Sequence, residues 1–190
     1  EYSNNDIGWI FSAGGLGGWL GWNIWRSSPT FGYEAQGRLG GTAGGIGAGV
    51  LVGAAATQAF ERTASDAAEA SFLSGLGATI STGGKWLGWY KDEATSNRFQ
   101  SLSALSGYGL GLLLSPSTEF SQPAKGTVGM MGVVGAGVGA SASLGWKSDS
   151  ELDGGLTLGS GLGMAAAYGL TQFLPMDGGD NAELALGWGT

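Results

Sequence analysis

Apolar and charged positions are segregated along this chain. Apolar segments at about 7–25, 37–60, 70–90, 99–115, 124–146 and 154–174 alternate with the polar separators "RSSPTFGYEAQ", "ERTASDAAE", "KDEATSN", "SPSTEFSQPA", "KSDSELD" and "PMDGGDN". Only Arg38, Lys85 and Lys125 put a charge inside or at the edge of a segment. A segment of about twenty residues wound as a helix spans about 30 Å, the thickness of a hydrocarbon core. The pattern predicts six helices, one per segment.

Small residues refine that expectation. The tetrapeptides "GGLG" at 14, "GGIG" at 44, "SGLG" at 74, "SGYG" at 106, "AGVG" at 136 and "SGLG" at 160 recur at a near-constant spacing of about 30 residues, the mark of an internal repeat. The expected organisation is a single repeat-built domain over 1–190, in six units of about 30 residues. Within the second segment glycine returns every fourth residue, at Gly37, Gly41, Gly45, Gly49 and Gly53; the sixth carries Gly155, Gly159, Gly163 and Ala167. Shorter versions are Gly14 and Gly18, then Gly107, Gly111 and Ser115, then Gly135, Gly139 and Ser143. A helix-interior glycine costs roughly 0.5–1 kcal/mol against alanine. Five on one stripe need a compensating contact, and a small stripe supplies one by letting a second helix backbone approach closely. Gly37, Gly41, Gly45, Gly49, Gly53, Gly155, Gly159 and Gly163 are therefore the candidate helix-packing residues of an all-α fold of Gly-zipper hairpins.

A second period competes. From Val128 to Trp146 every other residue is apolar or small, and Leu102, Ala104, Tyr108, Leu110, Leu112 and Leu114 form a shorter example. Period two is the strand signature, and an outer-membrane barrel of Gly-rich strands is the alternative. A soluble Gly-rich sandwich or stacked repeat is a third possibility. Barrel strands need only about 9–11 residues to cross, so each segment would have to fold back at its centre. The centres hold no Asn-Gly or Asp-Gly turn, and Leu and Ala outnumber β-branched residues, which favours helix. In either membrane setting Trp22, Trp25, Trp86, Trp89 and Trp146, near segment ends, suit an interfacial belt. Lys85 joins them as an anchor whose stem stays apolar while its head reaches water.

Composition removes most chemistry. The 190 residues contain 40 glycines, 8 tryptophans, no cysteine and no histidine. Disulfides, thiol nucleophiles, histidine bases and common zinc sites are thereby excluded, and no catalytic residue is expected. A formal charge of -7, from 15 acidic and 8 basic residues, argues against nucleic acid as a partner. Asp149, Glu151 and Asp153, and Asp177 with Asp180, are oxygen-rich but lack a full ligand loop, so they read as solvated turns and not as a calcium site. "GGTAGG" lacks the Gly-Lys-Ser/Thr ending of a phosphate loop. No cofactor and no metal are expected. Lysine and arginine are spread over both prospective sides, without the one-sided bias of a conventional inner-membrane protein.

"SQPAKGTVGMMGVVGAGVGASASLGW" and "LDGGLTLGSGLGMAAAYGLTQFLP" resemble the Gly-rich apolar repeats of large, exported, uncharacterised proteins of myxobacterial-type bacteria. The resemblance implies a bacterial cell-envelope setting and offers no catalytic residues. The start on "EYSNND", without an initiator Met, fits either a mature exported chain or a piece of a longer protein. The expected function is a non-enzymatic structural or scaffold subunit of a membrane or envelope assembly, with lipid and either its own copies or other envelope proteins as partners. The barrel alternative would instead make it a pore or surface anchor.

Overall fold

The computed structural model describes residues 3–27, 35–59, 63–118, 120–143 and 149–174. Among these residues it holds six α-helices: α1 (Asn4–Ser27), α2 (Ala35–Ala59), α3 (Ala64–Trp86), α4 (Glu93–Leu114), α5 (Gln122–Ser143) and α6 (Asp149–Thr171). The chain is all-α with helical-hairpin packing, and no strand occurs among the described residues. The barrel alternative is thereby overturned. Its best stretch, from Val128 onward, lies largely in α5. There the alternating set is divided around the helix: Val128 is buried and Gly132 faces Met164 of α6, while Val138 is exposed.

The helices start earlier than the apolar segments because their first turns are polar. Ser3 and Asp6 form a reciprocal box, with the Ser3 amide donating to Asp6 Oδ2 at 2.7 Å and the Asp6 amide donating to Ser3 Oγ at 3.3 Å. Thr63 and Asp66 repeat it at the start of α3, at 2.8 and 3.2 Å. Asp92 caps α4 by accepting from the Thr95 amide. Such boxes satisfy amide donors that the helix itself leaves unpaired. α3 ends where Gly88 takes a φ of +75°. The Gly88 amide donates to the Lys85 carbonyl and the Trp89 amide to the Gly84 carbonyl, closing the last turn on a residue without a Cβ.

The chain divides into two compact units. The first contains α1, α2, α3 as far as Ala78, and α4; the second contains Thr79–Trp89, α5 and α6. In the first unit α1 and α2 run antiparallel with glycine facing glycine. A Cβ added at Gly45 would land on the Gly17 carbonyl, one at Gly21 on the Gly41 carbonyl, and one at Gly49 on the Ala13 carbonyl. Each step of four residues along α1 is matched by four in reverse along α2. α3 and α4 pair by the same rule: Gly77 faces the Ser103 backbone, Gly107 the Leu73 backbone and Gly111 the Ala70 backbone. α1 also packs on α4, where Trp9 and Tyr108 meet edge to face at 6.3 Å within a core that includes Ala67 and Ala70. Arg26 and Glu93 form an ion pair at the other end of that contact.

In the second unit α5 and α6 form a further antiparallel hairpin, with Gly135 against Gly159, Gly139 against Gly155 and Met131 against Gly163. The end of α3 lies against α6: Gly83 faces Leu158 and Gly161 faces Ile80. Phe120 and Tyr168 close the unit in an edge-to-face pair at 5.8 Å, and the Lys125 ammonium sits 5.4 Å from the Phe120 ring centre.

Candidate functional site

The small-residue stripes are helix-contact surface, and their chemistry is that of backbone meeting backbone. Gly41, Gly45 and Gly49 oppose the α1 backbone directly, and Gly53 admits the backbone of Ile10 together with Ala13 Cβ. Gly37 is covered by the Trp25 indole, which would overlap any side chain placed there. In α6, Gly159 and Gly163 meet the Gly135 and Met131 carbonyls, and the buried Gly155 presents its own carbonyl to Gly139. At such approach Cα–H groups reach carbonyl oxygens on the partner helix, each contact contributing roughly 0.5–1 kcal/mol. Many of these over the length of a hairpin offset the intrinsic helix penalty of the glycines.

In α1 the contact stripe is Ala13, Gly17 and Gly21. Gly14 and Gly18, the expected pair, sit one position round the helix, facing the Val50 and Ile46 side chains. The run "GGLGG" contains two adjacent stripes, and spacing alone does not choose between them. Most of the α3 surface escaped the pattern, because Ala70 and Leu73 offer backbone to Gly111 and Gly107 without being glycines, and only Gly77 of the "SGLG" at 74 meets α4.

The expected interfacial residues lie at helix ends but do different things. Trp22 carries the Arg38 guanidinium 5.6 Å above its ring, and Trp25 is spent on Gly37. Lys85 occupies the last turn of α3, where a cation meets the negative end of the helix dipole. Trp86 and Trp89 are exposed, with one edge of Trp89 lying over Gly84. Trp146 lies outside the described residues, as do Asp177 and Asp180. Asp149, Glu151 and Asp153 fall at the start of α6, and among the described residues no three His, Cys, Asp or Glu side chains come together.

Two features were invisible in the sequence. The first is a set of buried polar side chains in the first unit, including Asn23, Glu69, Ser96, Asn97 and Gln100. Asn97 is fully buried, and both polar atoms of its amide lack a hydrogen-bond partner. The second is a half-open cavity of ≈ 280 Å³ between α1, α2 and α4, lined by Trp9, Ala13, Val52, Ala56, Tyr108 and Leu112 among others. Its walls are almost entirely carbon. No family model, curated protein or solved structure matches the chain, so the geometry itself carries the functional reading.

Proposed function

We propose that the chain is a non-enzymatic structural subunit embedded in a membrane, where its helices pack on one another and on further copies. The carrying observation is the direction in which apolar side chains face. Gly37–Ala59 of α2 is long and apolar enough to cross a membrane, yet only 6% of its apolar window is buried, whereas the apolar core helix of a water-soluble protein would be mostly buried. α4 points the same way: Ser96, Asn97 and Gln100 are inside, and Leu102, Leu105, Leu110 and Leu113 are outside. In water such a surface would be a large exposed apolar patch. In hydrocarbon it is the solvated face, and close glycine contacts supply the cohesion that hydrophobic burial cannot.

The helices are 22–25 residues long, enough for the hydrocarbon core of about 30 Å, and among the described residues α2 is the one that is also apolar enough to cross it. The lack of histidine and cysteine, together with glycines spread along helix contacts and not gathered in one loop, supports a structural role over a catalytic one. A bacterial cell-envelope location rests on the sequence resemblance alone. Flotation with phosphatidylcholine vesicles after alkaline carbonate washing tests the membrane reading; protein left at the bottom of the gradient would refute it. Crosslinking in those vesicles at several protein-to-lipid ratios tests the assembly. Discrete multimers that persist on lipid dilution are expected, and a monomer at every ratio would rule self-association out.

A further inference from the structure

We infer that the cavity between α1, α2 and α4 is a seat for one hydrocarbon chain, the acyl tail of a bilayer lipid. The inference rests on the membrane reading and adds a specific lipid site to it. At ≈ 280 Å³ the cavity exceeds the apolar cavities of roughly 150 Å³ that take up benzene or xenon.

The polar groups of the lining residues are committed elsewhere. Trp9 Nε1 donates to the Thr63 carbonyl at 3.1 Å, Thr57 Oγ1 donates to the Ala54 carbonyl at 3.0 Å, and the Tyr108 hydroxyl receives Ser12 Oγ at 3.1 Å. A water inside would lack the two to four partners it needs, and a polar ligand would be dehydrated without compensation. An alkyl chain has nothing to lose in this way.

Position selects the source of that chain. Val52 belongs both to the lining and to the outer surface of α2, being 66% exposed, and Leu51 beside it is 73% exposed. The cavity is therefore continuous with the face that the membrane reading bathes in lipid, and a tail can enter sideways without its headgroup leaving the interface. Gly53 and Ala56 keep the α2 wall low, and the Trp9–Tyr108 pair forms a rigid aromatic wall.

The test uses the full chain in phosphatidylcholine vesicles whose lipid carries a diazirine in one acyl chain, with adducts located by mass spectrometry after irradiation. Adducts at Ala56 and Leu112 are expected several-fold above those at Leu102 and Leu105, which are exposed but outside the cavity. Ala56→Phe, which fills the space, should abolish the excess and leave Leu102 and Leu105 unchanged. Val52→Trp, a substitution at an exposed position, should act likewise should Ala56→Phe disturb folding. Equal labelling at all four sites, or an excess that survives both variants, would overturn the inference. If the protein fails to float with vesicles, the bilayer reading falls, and the same diazirine on a free alkane tests the seat in solution. Labelling blocked by Ala56→Phe would then uphold a hydrocarbon site, and no labelling would reject it.

Discussion

α2 and α4 are both exposed on one side and packed on the other, yet they are built from different material. α2 faces α1 with glycine after glycine, whereas α4 turns serine, asparagine, glutamine and tyrosine inward with only two glycines at its contact with α3. What the two share is the outside: Leu51 and Val52 on one, Leu102 and Leu105 on the other. The interior thus tolerates several solutions for close approach, while the exterior keeps one character. That is the opposite of a water-soluble helix pair, in which the interior is uniformly apolar and the surface varies.

The largest effect should come from breaking the glycine contact itself. Gly45→Leu drives a side chain into the Gly17 backbone, which has no rotamer to yield, and should cost about 3 kcal/mol or more. Gly47→Leu, two residues away with open space around it, removes a helix-glycine penalty of roughly 0.5–1 kcal/mol and should raise the melting temperature slightly. Equal destabilisation by both would show that the loss reflects the residue type and not the contact.

The shared exterior is probed by charge. Leu51→Arg in α2 and Leu105→Arg in α4, both mid-helix and outward, should each lower membrane insertion by about 2.5–3.5 kcal/mol. In water the same changes would fall within about 0.5 kcal/mol of neutral, so an unaltered vesicle-bound fraction would count against the common lipid face.

The contrasting interior is probed at Asn97. An amide buried without partners carries a desolvation penalty that an apolar side chain of similar size does not. Asn97→Leu should therefore stabilise the fold by about 1–2 kcal/mol in chemical denaturation. A loss of stability would show that the amide is satisfied in the assembled protein.

The smallest effect lies at the helix starts. The Asp6 carboxyl is held below the usual 3.8 by the Ser3 amide and hydroxyl, and the Asp92 carboxyl by those of Thr95. A depressed folded-state pKa stabilises above the unfolded value and is lost as pH falls through the folded one. The melting temperature should accordingly hold down to about pH 4 and decline below it, and Asp92→Asn should flatten that decline. An identical acid limb in the variant would remove Asp92 from the account.

Much of this architecture is legible in the amino-acid sequence. The α2 and α6 stripes were legible because their contact positions are mostly glycine, and a fourfold spacing survives any uncertainty about helix ends. The helix starts were hidden inside the separators: in "ERTASDAAE" the Thr63–Asp66 box already belongs to α3, but a charged first turn looks like a loop. The α3 face was hidden for a different reason, since a backbone contact does not record itself in the identity of Leu73. The cavity depends on three helices at once, so no spacing along one helix could disclose it.

The ladder between α1 and α2 repeats itself and so has no zero of its own. Slid by one rung, Gly45 would rest on Gly21 and Gly49 on Gly17, with the middle of the hairpin as well fitted as before. What fixes the setting is bulk at one end. The slide would move Trp25 only from one glycine, Gly37, to another, Gly41, but would carry Thr57 to the place where Gly53 now admits Ile10. The pair works as a ratchet with a stop: glycine decides how near the two rods lie, and a threonine decides which notch they occupy.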